Sequence, residues 1–294
     1  MEIALQVQNS YKDRLSVQYI NSCESSKIGK TCCSAGSLYD VAHFYTATGR
    51  AIPWSNTNAN WQDGSASCST SCNSISTTPY YPIQSISERQ ITTQGISQAT
   101  AISNIKGVLN QNKGVWFAFY GTNSDMNTFG TFWYNQSESI IWSPAFTGGH
   151  VVGHAVLCVG YNDDDPNNRY WIMLNSWGTA YGNRPNGLFR LNMNMNYDFK
   201  DSSGFNSYYW QTLDMTYTAP ASITVTSPNG GESWNAGSSH ALTWTYNNSV
   251  SDSYVKIYYQ KGSATPVSIG YAPIGSAGSG SYNWAIPSTL SSGA

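Results

Sequence analysis

Two short apolar runs, residues 155–159 (Ala-Val-Leu-Cys-Val) and 170–174 (Tyr-Trp-Ile-Met-Leu), flank a polar stretch containing Asp163-Asp164-Asp165-Pro166. Each run is too short for a helix and reads as a buried strand. The Asp/Pro cluster between them is a turn signal. A hairpin of this kind constrains what can stand at its open end. It brings His154, just before the first run, towards Asn175, just after the second. A lone His before an apolar run is usually structural, and a lone Asn-Ser-Trp-Gly is usually a turn. In this order and spacing, the two together are far more specific.

An imidazole beside a thiol takes its proton and later delivers one to a leaving amine. The thiolate, not the thiol, is the nucleophile. A neutral side-chain amide orients the imidazole by accepting the hydrogen bond of its other ring nitrogen. His154 fits the base and Asn175 the orienting group. His150 competes as base, but it follows Thr147-Gly148-Gly149 and reads as loop. His43 and His240 fall in other expected elements.

The segments Gly153-His154-Ala155-Val156-Leu157-Cys158-Val159-Gly160-Tyr161 and Asn175-Ser176-Trp177-Gly178 resemble the histidine and asparagine halves of a papain-like cysteine protease site. In that family the tryptophan of Asn-Ser-Trp-Gly covers the His–Asn hydrogen bond. Trp177 matches it, with Ser176 and Gly178 as supporting positions, while Tyr181 stands where a second tryptophan is usual. Upstream, the segment from Leu15 and Ser16 to Cys23 resembles the family's Leu-Ser-Glu-Gln-x-Leu-x-Asp-Cys, in which Ser caps a one-turn helix. Cys33-Ser34-Ala35-Gly36 resembles the Cys-Asn-Gly-Gly turn that lends backbone groups to an extended substrate. The resemblance therefore makes Gly36, and Gly153 beside the base, the substrate-binding positions. Tyr80-Tyr81-Pro82 and the strand from Asn186 to Leu191 also match. The resemblance implies an α+β, two-lobed papain-like fold, with a helical lobe remnant and a β-barrel-like lobe. It also implies a cysteine-type peptidase acting on polypeptides through an acyl-enzyme, without cofactor or metal. The alternative is a non-catalytic papain-like scaffold serving as an extracellular binding or adhesion protein.

The nucleophile is the difficulty. The cysteines are Cys23, Cys32, Cys33, Cys68, Cys72 and Cys158. Cys23 precedes His154 by 154 − 23 = 131 residues, within the family's spacing. It reads, however, as the end of a helical turn beside Glu24, whose carboxylate raises a thiol pKa. A nucleophilic Cys should open a helix, where the dipole favours the thiolate. Aligning Glu2 and Cys23 with the family layout places the nucleophile, and the oxyanion-hole Gln before it, ahead of Met1 by about ten residues. The expectation is a fragment that carries only the His/Asn half of the site and is inactive as it stands. The Cys-Asn-Gly-Gly cysteine normally pairs just upstream of the nucleophile. The resemblance thus leaves Cys32 or Cys33 unpaired, and Cys23 free to pair with Cys68 or Cys72. Cys68 and Cys72 have zinc-like spacing but no nearby His, so disulfides of an exported protein are the stronger reading. Cys158 alternates into a strand and reads as a packed free thiol.

Charged residues make up 10% of the 294-residue chain and the formal net charge is −2. That gives no electrostatic case for nucleic acid or an anionic membrane. No apolar run is long enough to span a bilayer, and residues 1–6 do not form a signal peptide. Helices are expected over residues 3–12, 37–45 and 99–110 and a strand over 114–120, with 129–134 and 140–142 continuing the barrel half. The expected organisation is a peptidase domain at 1–218, lacking its nucleophile segment, a linker at 219–221, and a second module at 222–294. Five short strand candidates, near 223–226, 241–245, 254–259, 267–271 and 281–286, resemble an Ig-like module of secreted microbial enzymes and imply an incomplete β-sandwich. Its Trp234, Trp244 and Trp284 read as core residues before sugar-stacking ones. The expected location is extracellular or at the cell surface, with polypeptide substrates and a cell-surface or glycan contact through the second module.

Overall fold

A computed structural model describes all residues except 34, 35, 65–67, 181, 202, 220, 248, 249 and 291–294. Two compact units emerge, Met1–Tyr217 and Thr218–Ala294. The first opens with helices α1 (Glu2–Asn9), α2 (Val17–Ile28) and α3 (Leu38–Thr48). Their ends follow local chemistry. The Ser16 hydroxyl accepts from Tyr19 N–H, and Ser37 with Asp40 forms a capping box. Gly29 and Gly49 end α2 and α3 with φ of 73° and 64°, a conformation open to glycine at little cost. The expected single turn after Ser16 is thus a 12-residue helix, and Cys23 lies in its middle instead of at its end. Nothing between Val17 and Ile28 breaks a helix, and Tyr19 and Cys23 share its buried side.

The chain continues through β1 (Arg50–Ala51), β2 (Tyr81–Gln90), α4 (Gln98–Leu109), β3 (Val115–Gly121) and α5 (Asn123–Asn135). Then come β4 (Ile141–Trp142), β5 (Val152–Asn162), β6 (Tyr170–Leu174), β7 (Leu188–Asn192) and β8 (Tyr208–Tyr217). These strands form one sheet in the order β1-β2-β8-β3-β5-β6-β7-β4, antiparallel except for the β4–β7 pair. Residues 129–134 of the barrel half are helical. Thr122 and Asp125 build a capping box at the start of α5, and Phe129 and Trp133 pack inward one turn apart.

Two cores share β8. Its early residues Tyr208 and Trp210 join Phe117, Phe119, Trp133, Trp171 and Phe189. Its late residues Met215 and Tyr217 join Leu5, Tyr19, Phe44 and Tyr45 from the helices. Disulfides Cys23–Cys72 and Cys32–Cys68 tie loops to the helical half. Cys33 is free and exposed, and Cys158 is free and buried. The central hairpin is not buried on both faces, because Val159 and Leu174 are each 39% exposed. With Trp116 and Leu157 they line an apolar groove of about 480 Å³, walled also by Ile20 and Val41 of α2 and α3.

The second unit holds β9 (Ile223–Ser227), β10 (Ser239–Tyr246), β11 (Tyr254–Tyr259), β12 (Val267–Pro273) and β13 (Ser279–Ala285). They form a three-stranded sheet, β13-β10-β9, and a separate β11–β12 pair. Of the three tryptophans only Trp244 is buried, its indole N–H donating to Ile274 O at 2.8 Å. Trp234 and Trp284 are half-buried, stacked on His240 and Tyr259. All three tryptophans line a groove of about 690 Å³, so the core expected there is open on one side. No helix among the described residues is long and apolar enough to cross a membrane.

Candidate active site

His154 is the third residue of β5, facing Phe119 across the β3–β5 ladder. It therefore lies inside the strand, not ahead of it. Asn175 follows β6, and its N–H donates to Gly187 O at 3.0 Å. The β5–β6 pairing brings the two side chains together, with His154 Nε2 and Asn175 Oδ1 2.9 Å apart. The roles within this bond follow from a neighbour. Ser176 N–H donates to the same Oδ1 at 2.8 Å, so the amide oxygen faces the ring. An oxygen only accepts, which puts the proton on Nε2 and leaves the Nδ1 lone pair as the basic site.

Trp177 lies against the imidazole, centroids 4.7 Å apart, and Phe119 and Phe129 each stand 5.6 Å away. Asn175 is 6% exposed, so this hydrogen bond is shielded from water. Burial lowers the His154 pKa below 6.5, and the Asn175 bond acts in the opposite sense. His154 is consequently harder to protonate than an imidazole in water.

Sequence reading missed the structure behind Trp177. That ring packs on Phe129, Trp133 and Tyr134, all from α5. Arg184 is fully buried and donates to the carbonyls of Trp133 and Leu188 at 2.9 Å and of Phe132 at 3.2 Å. It ties the loop after Trp177 to the C-terminal end of α5, where a cation is favoured. In sequence it stands in Gly182-Asn183-Arg184-Pro185-Asn186-Gly187, which looks like an exposed turn. Gly182 has no room for a side chain, since a Cβ would stand 2.2 Å from Trp133 O.

The remaining candidates are placed less centrally. A Cβ on Gly153 would meet the Tyr120 ring at 2.6 Å, so glycine there lets Tyr120 lie across the strand. His150 stacks on that same Tyr120, centroids 4.1 Å apart, and is not the partner of Asn175. Gly36 has open space where a side chain would be, while Ser34 and Ala35 of its turn lie outside the described residues. Tyr181 and linker residue 220 lie outside them as well.

Among the described residues no cysteine sulfur is hydrogen-bonded to His154. Cys23, despite its spacing, is fully buried and bonded to Cys72. Cys32, Cys68 and Cys72 are also in disulfides. Burial pushes the Cys158 thiol up to about 12, and it faces Gly160 O. Cys33 is held by Asn21, which is no part of the shell around His154.

The family profile described as papain family cysteine protease matches residues 1–209. The chain belongs to the papain family of cysteine proteases. Over 189 residues it is 29% identical to cathepsin B-like CP3 of Giardia intestinalis, covering 60% of this chain and 52% of that protein. It is 25% identical over 212 residues to the senescence-specific cysteine protease SAG12 of Arabidopsis thaliana, covering 69% and 49%. The chain thus spans about half the length of these curated relatives. The solved structure of SERA5E from Plasmodium falciparum superimposes with a TM-score of 0.50 at 16% identity, covering 74% of this chain and 82% of that one. This likeness concerns the fold alone.

Proposed function

We propose that His154 and Asn175 are the base and orienting group of a cysteine peptidase whose thiol comes from outside these 294 residues. The observation that carries this reading is the His154–Asn175 bond under Trp177, which engages Nε2 and leaves the Nδ1 lone pair open. A thiol placed at Nδ1 gives up its proton to it. The thiolate attacks a peptide carbonyl, and the His154 Nδ1–H then protonates the leaving amine. Water hydrolyses the acyl-enzyme with His154 again as base. Asn175 keeps Nε2–H engaged so that the ring presents Nδ1 throughout, and the turn at Ser176 and Gly178 carries Trp177 over the bond. Polypeptides are the substrates, with Gly36 and Gly153 bordering the extended chain. The peptidase portion covers residues 1–218. After a linker at 219–221, residues 222–294 form an Ig-like module that makes the glycan or cell-surface contact of an extracellular enzyme.

The test compares this chain with the longer product of the same gene, using a fluorogenic peptide. The 294-residue chain gives no turnover, and the longer product does. His154→Ala lowers kcat/KM of the longer product by roughly 10²–10⁴-fold. Turnover by the shorter chain, or turnover indifferent to His154→Ala, sinks the proposal.

A further inference from the structure

Asn135-Gln136-Ser137 is one of two Asn-x-Ser/Thr triplets in the chain, the other being Asn247-Asn248-Ser249. Asn135 is the last residue of α5 and is exposed. It stands two residues past the buried Trp133, which is about 200° further round the helix, so it faces away from the core. Gln136 then leaves the helix in extended conformation, with φ −109° and ψ 153°. Among the described residues the Asn135 carboxamide has no hydrogen-bond partner. Its backbone, by contrast, is anchored on both sides. Arg184 holds the carbonyls of Phe132 and Trp133 just before it. Glu138 accepts the N–H groups of Asn186 and Leu188, at 2.8 and 3.1 Å, just after it. The Ser137 hydroxyl meets only another surface hydroxyl, Ser139 Oγ, at 2.7 Å. The second triplet is used differently. Asn247 Oδ1 accepts the Ser222 N–H at 3.2 Å, and residues 248 and 249 lie outside the described residues.

We propose that Asn135 is an N-glycosylation site, its amide taking an oligosaccharide from a lipid-linked pyrophosphate donor. A bond forms between Asn135 Nδ2 and the anomeric carbon of the first sugar as that carbon's bond to the pyrophosphate oxygen breaks. The electron pair leaves on the lipid pyrophosphate, and the amide gives up one proton. Nothing is oxidised or reduced. The hydroxyl two residues after the asparagine is what marks such an amide for transfer, and Ser137 supplies it. A bulky, hydrated group is tolerated only where it displaces no packing. Asn135 meets that condition, because its side chain is exposed and engages nothing that the sugar must break. The attached sugar stands beside Tyr134, whose ring is 49% exposed and lies parallel to Trp177, centroids 6.1 Å apart. Trp177 in turn lies against His154, so the modification borders the candidate active site. The proposal rests on the reading of this chain as exported and not on its peptidase chemistry.

Peptide mapping tests it. The intact chain is produced behind a cleavable leader in a eukaryotic secretory host and recovered from cells and medium together. Its peptides are weighed by mass spectrometry before and after treatment with a peptide N-glycosidase. Removal of the leader shows that the chain entered the secretory pathway, which separates a failed site from a failure of export. A sugar mass is expected on the peptide that holds Asn135, and the glycosidase should remove it while converting that asparagine to aspartate. Asn135→Gln and Ser137→Ala are each expected to lose the added mass, and Ser137→Thr to keep it. A leader-processed chain with Asn135 unmodified overturns the proposal. So does a sugar that persists on this peptide in Ser137→Ala.

Discussion

The first unit holds its two halves in place by different means, and its two free cysteines mark the contrast. Cys158 lies in a core where Phe117, Phe119, Phe129, Trp133, Trp171, Phe189 and Trp210 are all fully buried. Among the described residues no disulfide touches that half. Cys33 lies in a loop-rich half secured by two disulfides and by a buried carboxylate, Asp63, with its amide partners Gln18 and Asn21. Aromatic packing is dense and directional, and it positions the His154–Asn175 pair without cross-links. The Ser/Asn/Thr-rich loops around Asp63 bury little apolar surface. Covalent and charge-assisted bonds do there what packing does elsewhere.

The contrast is open to attack. The largest effect is expected from Trp133→Ala, which removes a fully buried ring beside Trp177 and leaves a cavity. Denaturant unfolding should show a loss of about 3–5 kcal/mol. A loss under about 1 kcal/mol means that packing is not what holds the barrel half. Next comes the paired substitution Cys23→Ala and Cys72→Ala, which opens a loop of 49 residues. It should cost about 2–4 kcal/mol while leaving the NMR environment of His154 unchanged. A matching change at His154 would show that the two halves are one cooperative mechanical piece.

A smaller effect is expected in acid. Hydrogen bonds, first from Gln18 and then from Thr70 and Ser69, hold the Asp63 carboxyl at about 2 against the opposing effect of burial. Its folded pKa is below the unfolded value. The stability it contributes is present above about pH 4 and is lost as pH falls towards 2. Asp63→Asn should flatten unfolding stability between those values, and an unchanged acid slope counts against the network. The smallest effect concerns His154. Its pKa is lowered by burial, so its contribution is present above pH 6.5 and declines as pH falls through the folded value. Asn175→Ala removes the opposing hydrogen bond and should lower the NMR titration midpoint further. A midpoint that rises in Asn175→Ala contradicts the assigned polarity of the bond.

Much of the site was legible because its signals are local. Strand alternation placed His154 and Asn175 at the same end of one hairpin, and Ser16 and Ser37 announced their helices three residues ahead of the N–H groups they cap. The helix α5 was legible too, and was passed over. Met126, Phe129 and Trp133 recur at helical spacing after a Thr-x-x-Asp box. Arg184 left no such signal, since its acceptors are the carbonyls of Phe132 and Trp133, about fifty residues earlier.

By itself, then, the sequence determined the family, the pairing of His154 with Asn175 and the five strands of the second unit, because each rests on a short-range periodicity or motif. Only the tertiary structure decided that α2 runs on past Cys23, which cysteine pairs with which, and that Val159 and Leu174 face a groove. It alone decided that a charged side chain, Arg184, is buried against Phe132 and Trp133. Those outcomes depend on which distant residues come into contact. No local pattern encodes the desolvation, cross-linking and packing partners that such contacts bring.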